Sequence, residues 1–247
     1  MCWNAPVPPT PRPSKRLEQN DYLFFTPISD NKTQLEFPEA ARVAKDVAQV
    51  PILTGTVANE GRVFAIGQSN TTEYLNQLFP GQPNLWSAIE SAYPLGSSPN
   101  FANSYYVDSA IFTDYQFQCP SAIAANDSYA TGIPAWRYLY NATFPNLELN
   151  LDGGKLDLGV FHGSEIALVF GTFPRDGATE EQMELSRNMQ KAWADFAKNP
   201  TKGPGWKGYP SVNVFGPGAK ERAVDASALD THRGLYREVY EATGAIG

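Results

Sequence analysis

Three short runs rich in β-branched and aromatic residues most constrain how this chain can fold. Val50-Pro51-Ile52-Leu53-Thr54-Gly55-Thr56-Val57 is apolar and closes on Ala58-Asn59-Glu60-Gly61, which reads as a buried strand ending in a turn. Ala135-Trp136-Arg137-Tyr138-Leu139-Tyr140 alternates with the period of two of a pleated surface, and Val212-Asn213-Val214-Phe215 is a third, shorter candidate. More than 70 residues separate each run from the next, and they carry helical spacing. Strands separated by helices predict an α/β layer architecture rather than a helical bundle, in a single domain or part of one.

The helical expectations are specific. Residues 38–47 form a short candidate, and between 71 and 93 the apolar residues Tyr74, Leu75, Leu78, Phe79, Leu85, Trp86, Ile89 and Tyr93 suit two helices broken at Pro80-Gly81 and Pro83. Residues 101–126 predict a further helical pair hinged near Cys119-Pro120. The clearest helix starts after Thr179, which with Gln182 fits a capping box; Leu185, Met189, Ala192, Trp193 and Phe196 recur at 3.6-residue spacing, and Asn199-Pro200 stops the run. Trp193 and Phe196 are expected to face a core. Leu235, Tyr236 and Tyr240 lie in a loosely patterned C-terminal stretch. Pro6 to Pro13 holds five prolines and no hydrophobic period, so residues 1–20 are expected to be an extended arm and residues 21–247, opening on Tyr22-Leu23-Phe24-Phe25, the folded part.

Composition removes several classes of function. With 42% hydrophobic residues and 13% aromatic ones the chain is expected to be globular. A net charge of -7, with no basic cluster beyond Lys15-Arg16, argues against nucleic acid and anionic membrane surfaces as partners. No apolar run approaches the roughly 20 residues that span a bilayer, and the start Met1-Cys2-Trp3-Asn4 shows no secretory leader. Four sequons nevertheless begin at Asn31, Asn70, Asn126 and Asn141, against roughly two expected by chance. They point to a secretory ancestry while the N-terminus gives no address, so the compartment stays open. Cys2 and Cys119 carry no framework pattern. With only two histidines, a zinc site is not expected, and neither is a cofactor.

One of those histidines lies in Gly159-Val160-Phe161-His162-Gly163-Ser164-Glu165-Ile166, where the pattern turns from loop to helix. An imidazole titrates near neutrality and can take and return a proton within one cycle. To act as the base for a serine it needs a carboxylate on its other ring nitrogen, and Glu60 is the best candidate, on the loop directly after the first strand. Acid before base is the chain order of an α/β-hydrolase triad whose serine would come first.

The segments Gly55-Thr56 with Glu60-Gly61, Asp114-Tyr115-Gln116-Phe117-Gln118-Cys119-Pro120, Trp136-Arg137-Tyr138 and His162-Gly163-Ser164-Glu165-Ile166 resemble, in this order, segments of the type-B carboxylesterases and lipases. This is the cholinesterase-like branch of the α/β-hydrolases. Met189 to Ala197 is similar to the family's last large helix, and the likeness runs from about residue 22 to 240, nearest to fungal secreted members. The resemblance implies the C-terminal portion of an α/β-hydrolase fold, late strands of the central sheet with flanking helices, with His162 as general base and Glu60 as its acid. It also implies a carboxylic ester as substrate in intact relatives.

Two departures shape the expectation. The family's Gly-Gly oxyanion loop and Gly-Glu-Ser-Ala-Gly elbow do not occur in the 247 residues; the nearest string, Gly67-Gln68-Ser69-Asn70-Thr71, has Thr71 where a glycine belongs, so no nucleophile is assigned. The family pairs the cysteine of the Cys119 segment with one near the C-terminus, but Asp230-Thr231-His232-Arg233-Gly234-Leu235-Tyr236 contains none, which leaves Cys2 as the only substitute. His232 reads as a surface residue. The expectation is therefore a truncated serine carboxylesterase that keeps acid and base and is inactive alone, its sheet edge open where an upstream half would lie. The alternatives are a non-catalytic cholinesterase-like binding module and one half of a split esterase whose serine-bearing N-terminal half is another chain.

Overall fold

The structure, a computed structural model, describes residues 38–243 except 150 and 155, together with 30, 32, 33 and 35. The 1–20 arm, the segment from Tyr22 to Ile28, Cys2 and Asn31 lie outside the described residues. The chain falls into two units, 1–36 and 37–247, and every element below belongs to the second.

The four strands among the described residues form one sheet in the order β1 (Ile52–Val57), β2 (Ala135–Tyr140), β3 (Ser211–Phe215) and β4 (Glu221–Asp225). The first three run parallel, with Ile52 opposite Ala135 and Arg137 opposite Val212, and β4 returns antiparallel on β3. All three expected strands form. The fourth was hidden in the loosely patterned C-terminal stretch because its face is charged: Glu221, Arg222 and Asp225 are exposed and blunt an outer edge.

The helices are α1 (Pro38–Val43), α2 (Thr71–Leu78), α3 (Pro83–Ala92), α4 (Ser104–Thr113), α5 (Cys119–Ala130), α6 (Ile166–Val169), α7 (Glu180–Lys198) and α8 (Arg233–Thr243). The first stops four residues short of its expected end, with Lys45 at a positive φ of 62°. Between α4 and α5 there is no loop but a π-helical turn, Asp114–Gln118, so the expected hinge is a widened turn just ahead of Cys119-Pro120. Such turns rotate side chains out of the α-helical register and recur at functional sites. The C-terminal stretch also forms α8, with Tyr236, Val239 and Tyr240 buried at helical spacing.

The period of two in β2 distributes its side chains to two layers. Ala135 and Leu139 pack with Val212 towards α5, and Thr54 and Thr56 of β1 bond Ser121 Oγ (3.1 Å) and Gln118 Oε1 (2.7 Å) on the same side. On the other face Tyr140, Val57 and Phe215 pack against Leu168, Leu185 and Met189 of α6 and α7. Each such buried side chain contributes about 1.5–3 kcal/mol. Trp193 and Phe196 are half-buried and stand edge-on to Tyr138 (4.8 Å) and Trp136 (5.8 Å). Thr179 caps α7 by accepting from Gln182 N at 3.1 Å.

A further cluster, Leu75, Phe79, Ile89, Ile111, Ile123 and Tyr236 among others, joins α2–α5 to α8. Asp108 of α4 is fully buried beside it, and neither carboxylate oxygen has a hydrogen-bond partner among the described residues. Burial pushes this carboxyl up to about 6, against the opposing pull of the Thr71 hydroxyl. A folded pKa raised above the unfolded value of about 3.9 means that stability is fully present below pH ~4 and is lost as the pH rises through about 6. Asp108→Asn is therefore expected to stabilise the protein at pH 7 by roughly 2 kcal/mol and to change little at pH 4. Urea unfolding at the two pH values measures it, and an equal change at both would refute the cause.

Candidate active site

Glu60 and His162, 102 residues apart in sequence, meet on loops that follow β1 and β2: His162 Nδ1 lies 2.6 Å from Glu60 Oε2. The carboxylate begins a one-turn 3-10 helix, Glu60–Val63, immediately past the end of β1. Its other oxygen, Oε1, accepts from Val57 N at 2.8 Å, so the side chain folds back onto the strand end that carries it. The carboxylate is sealed and the imidazole is open: their side chains are 6% and 46% exposed. Two aromatic rings flank the imidazole, Phe117 of the π turn at 4.8 Å and Phe64 at 5.3 Å.

The two loops are stitched together. Asn59 N donates to Val160 O (2.9 Å), Asn59 Oδ1 accepts from Val160 N (3.0 Å), and Asn59 and Phe161 form a one-residue parallel bridge. Arg62 Nη1 binds Asp157 Oδ2 at 2.9 Å, and Asp157 Oδ1 accepts from Gly159 N at 2.8 Å. Gly159 has φ +52°, and a Cβ there would lie 2.4 Å from Asn59 Oδ1. Glycine is needed for the backbone and for the close approach alike. Gly159 lies three residues ahead of His162, and the sequence shows the glycine but not its partner.

Glu165, three residues past His162, has no role assigned by its sequence pattern. Burial holds its carboxyl above the usual range; the nearby Glu60 charge adds to the shift and His162 opposes it. Its Oε2 has no partner among the described residues. Phe64 and Phe117 were likewise missed as neighbours of the imidazole, since 98 and 45 residues of sequence separate them from it.

The chemistry of the pair follows from its geometry. Glu60 engages Nδ1, which fixes the ring and leaves Nε2 as the nitrogen for an incoming proton; when the ring is protonated, the carboxylate stabilises the imidazolium. Ser69 is exposed in the loop ahead of α2. An elbow requires a strand running straight into a helix, and β1 ends at Val57, twelve residues before Ser69. Among the described residues no group of three or more His, Cys, Asp and Glu side chains could hold a metal ion, and no helix is long and apolar enough to cross a membrane.

His232 corrects an expectation. Instead of lying on the surface, its side chain is 27% exposed and its Nδ1 sits 2.8 Å from Asp114 Oδ2, an oxygen that also accepts from Tyr93 OH at 2.5 Å. Cys119 is a free buried thiol. Burial, with Asp114 and Asp230 adding to it, pushes that thiol up, so it is an inert thiol at neutral pH. Where the resemblance implied a disulfide between these two segments, this chain ties them with His232 and Asp114.

Helices on both faces of a mostly parallel sheet, with a histidine–carboxylate pair on loops past the strand ends, are the arrangement of the α/β-hydrolase fold. EstA of Aspergillus niger, as a crystal structure, superposes on 88% of this chain and 45% of its own with a TM-score of 0.68 at 21% identity, a likeness of fold. The carboxylesterase family model matches residues 12–222, and the chain belongs to that family. Among curated proteins it is similar to the para-nitrobenzyl esterase of Bacillus subtilis, 29% identical over 76% of this chain and 37% of that one. It is also similar to secreted lipase 5 of Gibberella zeae, 26% identical over 77% and 31%. The chain thus spans about a third of the length of such relatives.

Proposed function

We propose that this chain supplies the base and acid of a serine carboxylic ester hydrolase and lacks its nucleophile, so that it cleaves no ester by itself. The observation that carries this reading is the 2.6 Å contact of His162 Nδ1 with Glu60 Oε2, in a chain of 247 residues without Gly-x-Ser-x-Gly. Beside a serine from a separate half, His162 Nε2 would take the hydroxyl proton as Oγ attacks the ester carbonyl, and would return it to the leaving alcohol as the acyl-enzyme forms. Water would then be activated by the same nitrogen. The exposed aromatic wall of Phe64 and the half-buried Phe117 suits an apolar group of the ester.

The open edge supports the same reading. β1 pairs on one side only among the described residues, and its first four residues are half-buried. A parallel strand is normally covered on both faces and flanked within its sheet, which fits a missing neighbour that brings the serine.

Hydrolysis of a short-chain nitrophenyl ester by the purified chain, against His162→Ala, tests the proposal. The expected rate is that of the control. Turnover abolished by His162→Ala would mean that a nucleophile is present in this chain, and the reading would fall.

A further inference from the structure

We propose that Asn70 and Asn141 are N-glycosylation sites of this protein and that Asn126 is not, the fold itself separating three sequons that look alike in sequence. In the transfer, Nδ2 of the asparagine displaces a lipid pyrophosphate from C1 of the terminal N-acetylglucosamine of a lipid-linked oligosaccharide. The N–C1 bond forms, the C1–O bond breaks, the amide gives up one proton and the lipid pyrophosphate leaves. The acceptor is used before folding is complete, so an occupied site persists only where the folded chain has room for the sugar.

Asn70 meets that condition. It is exposed, and its Oδ1 caps α2 by accepting from Glu73 N while Nδ2 has no partner among the described residues. A glycosylated amide keeps its carbonyl, so the cap survives the modification. Beside it lies a groove of about 380 Å³ lined by Ser69, Ser104 and Thr72, whose hydroxyl donates to Glu90, with Tyr93 and the exposed Leu95 among its walls. Hydroxyls and apolar faces together match a sugar ring, which is polar at its edge and apolar on its face.

Asn141 follows β2 directly and is exposed. Its backbone N–H is spent on Phe215 O at 2.7 Å, and its side-chain amide makes no hydrogen bond among the described residues. The residue is thus fixed at the sheet's end with its amide free.

Asn126 is the opposite case. It lies within α5; Nδ2 donates to Asp127 Oδ1 at 2.8 Å, and Oδ1 accepts from Tyr209 OH and from Arg233 Nη1, both at 3.3 Å. The sequon's serine, Ser128, is buried. The carbonyl bonds would survive modification, but they and the Nδ2 bond to Asp127 hold the half-buried amide between α5, the loop before β3 and the start of α8, where the nitrogen has no room for a sugar.

The full 247-residue chain, secreted from yeast behind a cleavable leader, provides the test. Peptide N-glycosidase in ¹⁸O water converts each occupied asparagine into labelled aspartate, read by peptide mass spectrometry on the folded, monodisperse fraction. Label is expected at 70 and 141 and not at 126. Thr72→Ala and Thr143→Ala, which destroy the sequons without touching the asparagines, are each expected to remove one glycan step on a denaturing gel, and Ser128→Ala none. Label at 126 in the folded fraction, or its absence at 70 or 141, would overturn the assignment.

Discussion

Asp230→Ala is expected to destabilise the protein by about 3–5 kcal/mol, a large part of the roughly 5–15 kcal/mol that holds a domain folded. Arg137 stands in the middle of β2 with its side chain 1% exposed, and its Nη1 reaches both oxygens of the equally buried Asp230, at 2.9 and 2.8 Å. Gln118 of the π turn adds a bond of 3.3 Å to the same carboxylate. Removing Asp230 strands a guanidinium whose side chain is buried, and its Nε already lacks a partner among the described residues. The pair itself is worth much less than its breakage suggests, because both charges were desolvated to form it. Arg137→Met with Asp230→Leu should therefore recover most of the loss. Urea midpoints of the two single variants and the double variant measure this; a double variant as unstable as Asp230→Ala would show that the charges, and not the space they fill, hold β2 to the approach to α8.

How much of this was legible in sequence depended on whether the signal was local. β2 was readable to the residue because an alternating aromatic strand between two helical layers writes both faces into six positions. The cap of α7 was readable because Thr179 and Gln182 lie within one turn. Glu60 and His162 were paired in sequence by the loop position of Glu60 after a buried strand and by the chain order of acid before base, and the resemblance strengthened the pairing; nothing local joins residues 102 apart, and the structure brings them to 2.6 Å. His232 and Arg137 were beyond reach for the same reason: their partners, Asp114 and Asp230, are 118 and 93 residues away. β4 failed differently. An edge strand that carries charge to stay soluble has no hydropathic pattern to find.

The widened turn at Asp114–Gln118 was legible only as a break, although it gathers much of what surrounds the site: Phe117 lies against the imidazole, Asp114 holds His232, and Gln118 reaches Asp230. A hinge at Cys119-Pro120 and a π turn ending there leave the same mark in sequence, a proline inside a helical pattern. They differ in consequence, because the π turn keeps α4 and α5 continuous and places Gln118 on Thr56 of β1.

Gly61→Ala should do more damage than its size implies, because it acts on fold and site together. Gly61 does not need an unusual φ; it needs the absence of a side chain. A Cβ there would stand 2.0 Å from Ser109 O and 2.9 Å from Thr113 N, both backbone atoms of α4 that cannot rotate away. The approach is fixed from two sides, since Gly61 N donates to Thr113 Oγ1 at 2.8 Å and that hydroxyl donates in turn to Ser109 O at 2.8 Å. Adding one methyl must push the Glu60–Val63 turn off α4, at a cost of about 3 kcal/mol, the upper range for overpacking. Glu60 is the first residue of that turn, so the displacement is delivered to the carboxylate beside His162. Thermal unfolding gives the first readout, and the far-downfield Nδ1 proton of His162 in proton NMR gives the second, which a purely structural loss elsewhere would leave in place. Both the melting temperature and that resonance are expected to drop together. A variant that melts lower yet keeps the resonance would show that the turn yields at its far end, and that the dyad is held by Val57 N and the Asn59–Val160 bridge rather than by α4.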